Sequence, residues 1–193
     1  MEQPPKNPIQ QDSPEKRAGD SRERTLANYL HGKEKESVWE LPTNIDVISL
    51  AVDELEGRLQ AAGWRDEAIT LSEALREALI NAIAHGNLGI GEIQENEDIS
   101  TLVTEKLKNQ RTNKKVTVIL EISSSKVKVV VRDEGNGFDW RHIPSPIAEE
   151  NLLKTHGRGI LIMREFLAKI GCTADFNEKG NEVTMELDRG KNS

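Results

Sequence analysis

Three polar residues recur at one-turn spacing in an otherwise apolar helical segment, residues 71–87. Glu77, Asn81 and His85 are each four residues apart, so a helix places them in one stripe on its surface. The Ala, Leu and Ile residues around them favour a buried helix. A buried amide without a partner costs about 1–3 kcal/mol, so Asn81 is expected to meet backbone, water or a bound ion. The alternative is a core asparagine that other protein groups satisfy.

A second cluster follows a run of β-branched residues and has the sequence DEGNGF, beginning at Asp133. Its two glycines leave a stretch of backbone against which a flat ring can lie, while the carboxylate accepts a hydrogen bond from an amine. Adenine carries such an amine. The alternative is a turn in which the glycines only supply positive φ angles.

A third cluster, THGRGI, stands at a predicted helix start. Unpaired N–H groups at a helix N-terminus attract phosphate, and Lys154, His156 and Arg158 add charge there. The alternative is that Gly157 and Gly159 only let the loop enter the helix. Neither a GxxxxGK[ST] motif nor a GxGxxG motif after a strand occurs, which excludes the P-loop and the dinucleotide-binding fold.

Hydrophobic periodicity indicates which elements must position these clusters. In chain order it predicts an edge strand at 37–41, helices at 45–63 and 65–85, a hairpin of strands 116–122 and 127–132, a helix ending at Gly171, and a hairpin of strands 172–176 and 183–187. Helices that precede hairpin-paired strands predict an α/β (α+β) two-layer sandwich. Its sheet would be mixed but mostly antiparallel, with helices covering one face.

Three segments lie outside this pattern. Residues 1–35 carry four prolines and few large apolar groups, which predicts a disordered tail before a folded domain at 36–189. Residues 88–115 are polar and long, with one helical pattern, and are predicted to be an insertion that either forms a partner surface or is neutral. Residues 139–156 are predicted to form a mobile loop.

Length and charge narrow the function classes. A chain of 193 residues with 36% hydrophobic content supports one moderate domain. The net charge of −7 and the absence of a long Lys/Arg block argue against direct binding of nucleic acid. No apolar run is long enough for a signal peptide or a membrane span, so a cytoplasmic protein without membrane contact is expected. The single cysteine, Cys172, is expected to be buried and inert.

Taken in this order, the three clusters resemble the nucleotide-binding boxes of the GHKL ATPase superfamily, which includes gyrase, heat-shock chaperone ATPases and histidine kinases. The matching segments are Glu77-x-x-x-Asn81 with His85-Gly86 for the N box, Asp133-x-Gly135-x-Gly137-Phe138 for the first glycine box, and Gly157-x-Gly159 for the second. The resemblance covers residues 39–187 and implies a Bergerat-type ATP-binding fold.

The resemblance also implies roles for the matching residues. Asn81 would coordinate Mg²⁺, which takes few protein ligands besides phosphate oxygens, and Glu77 would be the general base. Asp133 would bind the adenine amine. The other residues implied to bind the cofactor are His85, Gly135, Gly137, Phe138, Lys154, Gly157, Arg158, Gly159 and Asn181. Asn181 stands where the superfamily usually has a threonine near adenine.

Within the superfamily the chain is most similar to bacterial anti-sigma-factor serine/threonine kinases. This similarity implies a Mg-ATP-dependent kinase that phosphorylates an anti-sigma antagonist protein, with a sigma factor as a further partner. It also implies a homodimer, with residues 39–55 as the expected face. The alternative is an ATP-gated binding protein, which sequesters a sigma factor or another partner and uses ATP only to order the loop 139–156.

Overall fold

The structure is a computed structural model that describes residues 30–33, 36–91, 93, 97–142 and 159–190. Its strands are β1 (Leu30–Lys33), β2 (Glu36–Pro42), β3 (Lys115–Ile122), β4 (Lys126–Asp133), β5 (Thr173–Phe176) and β6 (Glu182–Asp188). Its helices are α1 (Val47–Ala61), α2 (Arg65–Ile80), α3 (Ile99–Asn109) and α4 (Gly159–Lys169). A π-helical segment, Asn81–Asn87, continues α2, and Trp140–His142 forms a 3₁₀ turn.

The six strands form one sheet in the order β1-β2-β3-β4-β6-β5, and every described pair is antiparallel. Burial alternates along β6, where Val183, Met185 and Leu187 face the core, as expected for a sheet with one covered face. The predicted two-layer α/β sandwich is therefore confirmed. Because Arg132 of β4 is opposite Glu182 of β6, the last residue of β4 lies beside the turn that precedes β6.

The strand predicted at 37–41 is present but is not an edge strand. β1 pairs with β2 on the side away from β3, so both backbone edges of β2 are hydrogen-bonded. The sequence of β1, LHGK, has no apolar alternation, and the prediction therefore assigned it to the tail. Residues 1–29 lie outside the described part of the chain.

The core lies between the sheet and the pair α1 and α2. Leu71, Leu75 and Leu79 of α2 are fully buried, as are Leu55 and Leu59 of α1. The apolar spacing that predicted a buried central helix is thus confirmed for α2.

A hydrogen bond from Trp64, in the turn between α1 and α2, fixes this helix pair on the sheet. Its Nε1 donates to the Ser123 carbonyl in the β3–β4 turn at 2.6 Å. The Arg189 guanidinium covers the same indole at 3.8 Å from the ring centroid.

The predicted insertion contains the predicted helix. The Asp98 carboxylate caps α3 by accepting the Thr101 N–H at 2.8 Å. Val103 of α3 is fully buried, and α3 packs against the π-helical segment. No helix within the described ranges is long and apolar enough to cross a bilayer.

Leu79→Ala and Ile69→Ala test the orientation of α2, since Leu79 is fully buried and Ile69 is 66% exposed. Leu79→Ala is expected to lower the free energy of unfolding by about 2–5 kcal/mol because it leaves a cavity. Ile69→Ala is expected to change it by less than about 0.5 kcal/mol. Urea denaturation followed by circular dichroism measures both values, and equal losses would contradict the orientation.

Candidate functional site

The central helix changes its hydrogen-bonding pattern at Asn81. The sequence period predicted one α-helix to residue 85, but the structure has an α-helix to Ile80 and a π-helical segment from Asn81 to Asn87. At the end of this segment the Leu88 N–H donates to the Ile83 carbonyl at 3.1 Å, a span of five residues. Short π-helical turns are rare and concentrate at functional sites, because they redirect the side chains that follow.

A cavity of about 300 Å³ opens between the π-helical segment, the adjacent ends of β4 and β6, and α4. The predicted site residues that line this cavity are Asn81, His85, Asp133, Gly137, Phe138 and Asn181. Apolar side chains from the strands and helices, including Val131, Met163 and Phe176, form much of the remaining wall. Such a lining, mostly apolar with a few polar groups, is typical of a small-molecule site.

Not every predicted site residue lines the cavity. Glu77, Gly135 and Gly159 lie next to it without forming its wall. The predicted residues Lys154, Gly157 and Arg158, and positions 143–156 of the predicted loop, lie outside the described residues.

Asp133 ends β4 and presents a half-buried carboxylate to the cavity. Its Oδ1 accepts the Gly135 N–H at 2.7 Å, which holds the side chain in place. Burial raises the pKa of Asp133, against the lowering effects of the Gly135 N–H and the Lys179 charge. The carboxylate is therefore a fixed hydrogen-bond acceptor within a largely apolar wall.

The backbone of Gly86 lies directly against Asp133 and Gly135. A methyl group on Gly86 would overlap the Asp133 carboxylate, and one on Gly135 would overlap the Gly86 carbonyl. Gly135 does not have a positive φ, so this close approach, and not a turn conformation, requires glycine there.

A similar contact joins the first glycine box to the β5–β6 turn. Gly137 and Gly180 have φ angles of +73° and +75°, and a methyl group on either would overlap a carbonyl of the opposite loop. The Lys179 ammonium also donates to the Gly135 carbonyl at 2.8 Å. The glycine box is thus held by the π-helical segment on one side and by the β5–β6 turn on the other.

Both polar atoms of the Asn181 side chain have protein partners. Its Nδ2 donates to the Asp133 carbonyl at 2.8 Å, and its Oδ1 accepts from Asn177 Nδ2 at 3.0 Å. Asn181 lines the cavity, as predicted, and at the same time supports the backbone of Asp133. Its contact with adenine stays a prediction.

Glu77 and Asn81 lie together at the start of α4. A methyl group on Gly159 would lie 2.9 Å from Glu77 Oε2 and 3.8 Å from Asn81 Nδ2. Within the described ranges no group forms a hydrogen bond with the side-chain amide of Asn81. Its contact with an ion, and the alternative of a partner elsewhere in the protein, both stay predictions. Burial raises the pKa of Glu77, Glu73 raises it further, and Arg76 opposes both.

This donor set fits Mg²⁺ only if a ligand brings further oxygens. No group of three His, Cys, Asp or Glu side chains in the described part of the chain is arranged to hold a metal. An amide oxygen and a nearby carboxylate are ligands that Mg²⁺ accepts, but they leave most of its octahedral positions unfilled. Phosphate oxygens and waters would have to fill those positions.

His85 connects the cavity with the predicted insertion. Its Nδ1 lies 2.6 Å from the Ile90 carbonyl oxygen. Because a carbonyl only accepts, Nδ1 is the donor in this hydrogen bond, which holds the ring in place. The Ile90 N–H in turn donates to the Ala84 carbonyl at 2.8 Å. The beginning of the insertion is therefore fastened to the cavity wall.

The sequence patterns did not identify an aromatic cluster at the cavity edge. Phe138 meets Phe176 edge-on at 5.5 Å, and Trp140 stacks on Phe176 at 6.0 Å. Trp140 Nε1 donates to the Asn177 carbonyl at 2.8 Å. These contacts fix the chain where it leaves the glycine box. The only available signal was the pair Phe138 and Trp140, two residues apart at the end of the box, with Phe176 later in the chain.

One family model, described as the histidine kinase-like ATPase domain, matches residues 41–187. The matched range includes every residue that lines the cavity. Among curated proteins, the chain has no significant match.

Gly86→Ala tests the contact with Asp133. Because the new methyl group displaces the carboxylate, the affinity for a nonhydrolysable ATP analogue is expected to fall by about tenfold or more, the cost of one charge-assisted hydrogen bond. Gly57→Ala is the matched control, since Gly57 lies in α1 with no neighbour within 4 Å. It should leave the affinity unchanged and stabilise the helix by about 0.5–1 kcal/mol. Calorimetric titration measures the affinities, and unchanged binding by Gly86→Ala would contradict the role of this contact.

Proposed function

The chain belongs to the histidine kinase-like ATPase domain family, and on this premise we propose that it is a Mg-ATP-dependent serine/threonine protein kinase of the anti-sigma-factor type. Family membership supports ATP binding. The transfer of phosphate to a partner protein is the step that the proposal adds. Three features in or beside the cavity support the proposed function. They concern the adenine base, the phosphates and the acceptor hydroxyl.

Asp133 would recognise the adenine base. Its fixed carboxylate is the acceptor that the exocyclic amine needs, and the apolar wall around it suits the faces of the ring. Gly137 and Phe138 line the same region, while Gly135 lets the backbone lie close to Gly86. Asn181 would act here mainly by holding the Asp133 carbonyl.

Asn81 would hold the metal at the other end of the cavity. Its amide lines the wall, has no partner among the described residues and lies beside the N-terminus of α4. A Mg²⁺ ion held by Asn81 would supply positive charge to offset the charge of the phosphates. The N–H groups at the start of α4 suit phosphate as well, and Lys154, Gly157 and Arg158 immediately precede that start in sequence.

Glu77 carries the proposal that the domain is a kinase. Its carboxylate lies one helical turn before Asn81 and against Gly159, beside the proposed phosphate end and off the adenine wall. A pKa raised by burial makes this carboxylate a better proton acceptor near neutral pH. Glu77 would take the proton of a serine or threonine hydroxyl as its oxygen bonds to the γ-phosphorus of ATP. The bond from that phosphorus to the β,γ-bridging oxygen would break in the same step, and ADP would leave.

The proposed acceptor is an anti-sigma antagonist protein, and a sigma factor is a second proposed partner. A homodimer with its face on residues 39–55 stays part of the proposal. Most apolar side chains of that range, including Trp39, Leu41 and Leu55, are buried within the chain, whereas Ile45 and Leu50 are partly exposed. A dimer there would therefore use the exposed polar side chains of the segment together with the exposed parts of Ile45 and Leu50.

Asp133→Asn tests recognition of the base. The amide keeps an oxygen for the Gly135 N–H but can present an NH₂ group to the adenine amine. The affinity for ATP is expected to fall by about tenfold, and the affinity for GTP, whose base has no amine at that position, by less. Equal losses for both nucleotides in calorimetric titration would remove Asp133 from the recognition of the base.

Glu77→Gln and Asn81→Ala separate catalysis from metal binding, and they test the proposed function. With labelled ATP and a candidate antagonist protein, the parent chain is expected to transfer label to serine or threonine. Glu77→Gln keeps the shape of the side chain but cannot accept a proton, so it should bind ATP normally and transfer label slower by roughly 10²–10⁴-fold. Asn81→Ala should weaken Mg-ATP binding, and the loss should shrink when Mg²⁺ is left out.

The pH dependence gives a second measurement on the same variants. Because burial raises the pKa of Glu77 above 4.5, the basic form is lost as the pH falls through a midpoint above that value. The parental transfer rate should show this acid limb, and Glu77→Gln should lack it. Parental transfer rates in Glu77→Gln would refute the assignment of the base. Saturable ATP binding without any transfer would favour an ATP-gated binding protein.

A further inference from the structure

We infer that Asn87 is a positioning residue for recognition of the base, because its buried amide ties the end of the central helix to the loop that carries Asp133. The inference rests on the proposed function, in which Asp133 recognises adenine. Asn87 itself does not line the cavity. It would act only through the backbone next to Asp133.

All hydrogen-bonding groups of the Asn87 side chain have partners. Oδ1 accepts the Glu134 N–H at 2.8 Å, and Nδ2 donates to Thr43 Oγ1 at 2.9 Å and to the Lys115 carbonyl at 3.0 Å. The residue is 5% exposed. A buried amide satisfied by three different segments tolerates little displacement of any of them, because each lost bond leaves a buried polar group unpaired.

Two successive residues at the end of the central helix therefore hold two successive residues of the loop that carries Asp133. Gly86 packs against the carboxylate of Asp133, and the next residue, Asn87, accepts the N–H of the next residue, Glu134. The peptide that is held follows Asp133 directly. The position of the carboxylate thus depends on the Asn87 hydrogen bond as well as on the contact with Gly86.

The π-helical segment brings Asn87 to this loop. Each residue of an α-helix turns the side-chain direction by about 100°, so the wider π-helical turns change the direction in which the last residues of the segment point. If the helix continued as an α-helix, Gly86 would not face Asp133 and Asn87 would not face Glu134. The π-helical turns are therefore part of the same positioning device.

Thr43 provides the matched control. Its hydroxyl is buried, accepts from Asn87 Nδ2 and donates to the Lys114 carbonyl at 2.6 Å. Thr43→Val removes both bonds and leaves the Glu134 contact in place. It therefore lowers stability by removing one partner of the Asn87 amide, but it does not release the peptide that follows Asp133.

The experiment compares ATP with inosine triphosphate, which carries a carbonyl oxygen where adenine carries its amine. The preference for ATP is a ratio of two affinities measured on one sample of the full chain, so a lowered folded fraction cancels from it. Asn87→Ala is expected to reduce this preference by about tenfold, the factor that one lost hydrogen bond gives. Thr43→Val is expected to lower the melting temperature and keep the preference.

Two further variants keep the inference testable if Asn87→Ala does not fold. Asn87→Ser, whose short hydroxyl admits water, should lose the preference to the same extent. Asn87→Asp keeps an oxygen for the Glu134 N–H, so it should retain more of the preference than Asn87→Ser. It should still be destabilised, because its carboxylate faces the Lys115 carbonyl.

An unchanged preference in Asn87→Ala or Asn87→Ser, with a lowered melting temperature, would overturn the inference and leave the proposed function intact. A parent chain that binds ATP without preference over inosine triphosphate would remove the role of Asp133 and that of Asn87 with it. A parent chain without saturable ATP binding would instead refute the proposed function.

Discussion

The contact between Gly86 and the pair Asp133 and Gly135 is the constraint on which the site depends. It brings the backbone of the central helix close enough to the end of β4 that no side chain fits between them. This approach places one fixed carboxylate at a cavity wall that is otherwise largely apolar. A wider spacing would admit water and leave the carboxylate free to turn, which would weaken the base recognition that we propose for it.

Several elements are arranged to maintain that spacing. The β5–β6 turn holds the glycine box from the side opposite to Gly86, through the Gly137 and Gly180 contacts and the Lys179 hydrogen bond. The insertion is fastened at both ends to the same region. Ile90 at its beginning is bonded to His85, and the Lys115 N–H at its end donates to the Glu134 carboxylate at 2.6 Å.

Sequence periodicity predicted the elements well, and it predicted their hydrogen-bonding registers less well. The apolar rows of α2 and the β-branched runs of β3 and β4 have strong periods, and each lies within a few residues of its expected place. The π-helical segment was missed because nothing in its sequence, NAIAHGN, distinguishes it from a continued α-helix. β1 was missed because LHGK has no apolar alternation to predict its backbone pairing with β2. Asn87 was missed because its partners come from three distant segments, which no local pattern reveals.

A crystal structure of the full chain with a nonhydrolysable ATP analogue and Mg²⁺ tests the central claim most directly. The adenine ring should lie in the cavity between the π-helical segment and the ends of β4 and β6, with its exocyclic amine hydrogen-bonded to the Asp133 carboxylate. The phosphates should lie at the opposite end, with the Asn81 side-chain oxygen bound to the metal. A nucleotide outside this cavity, or a base whose amine points away from Asp133, would contradict the account.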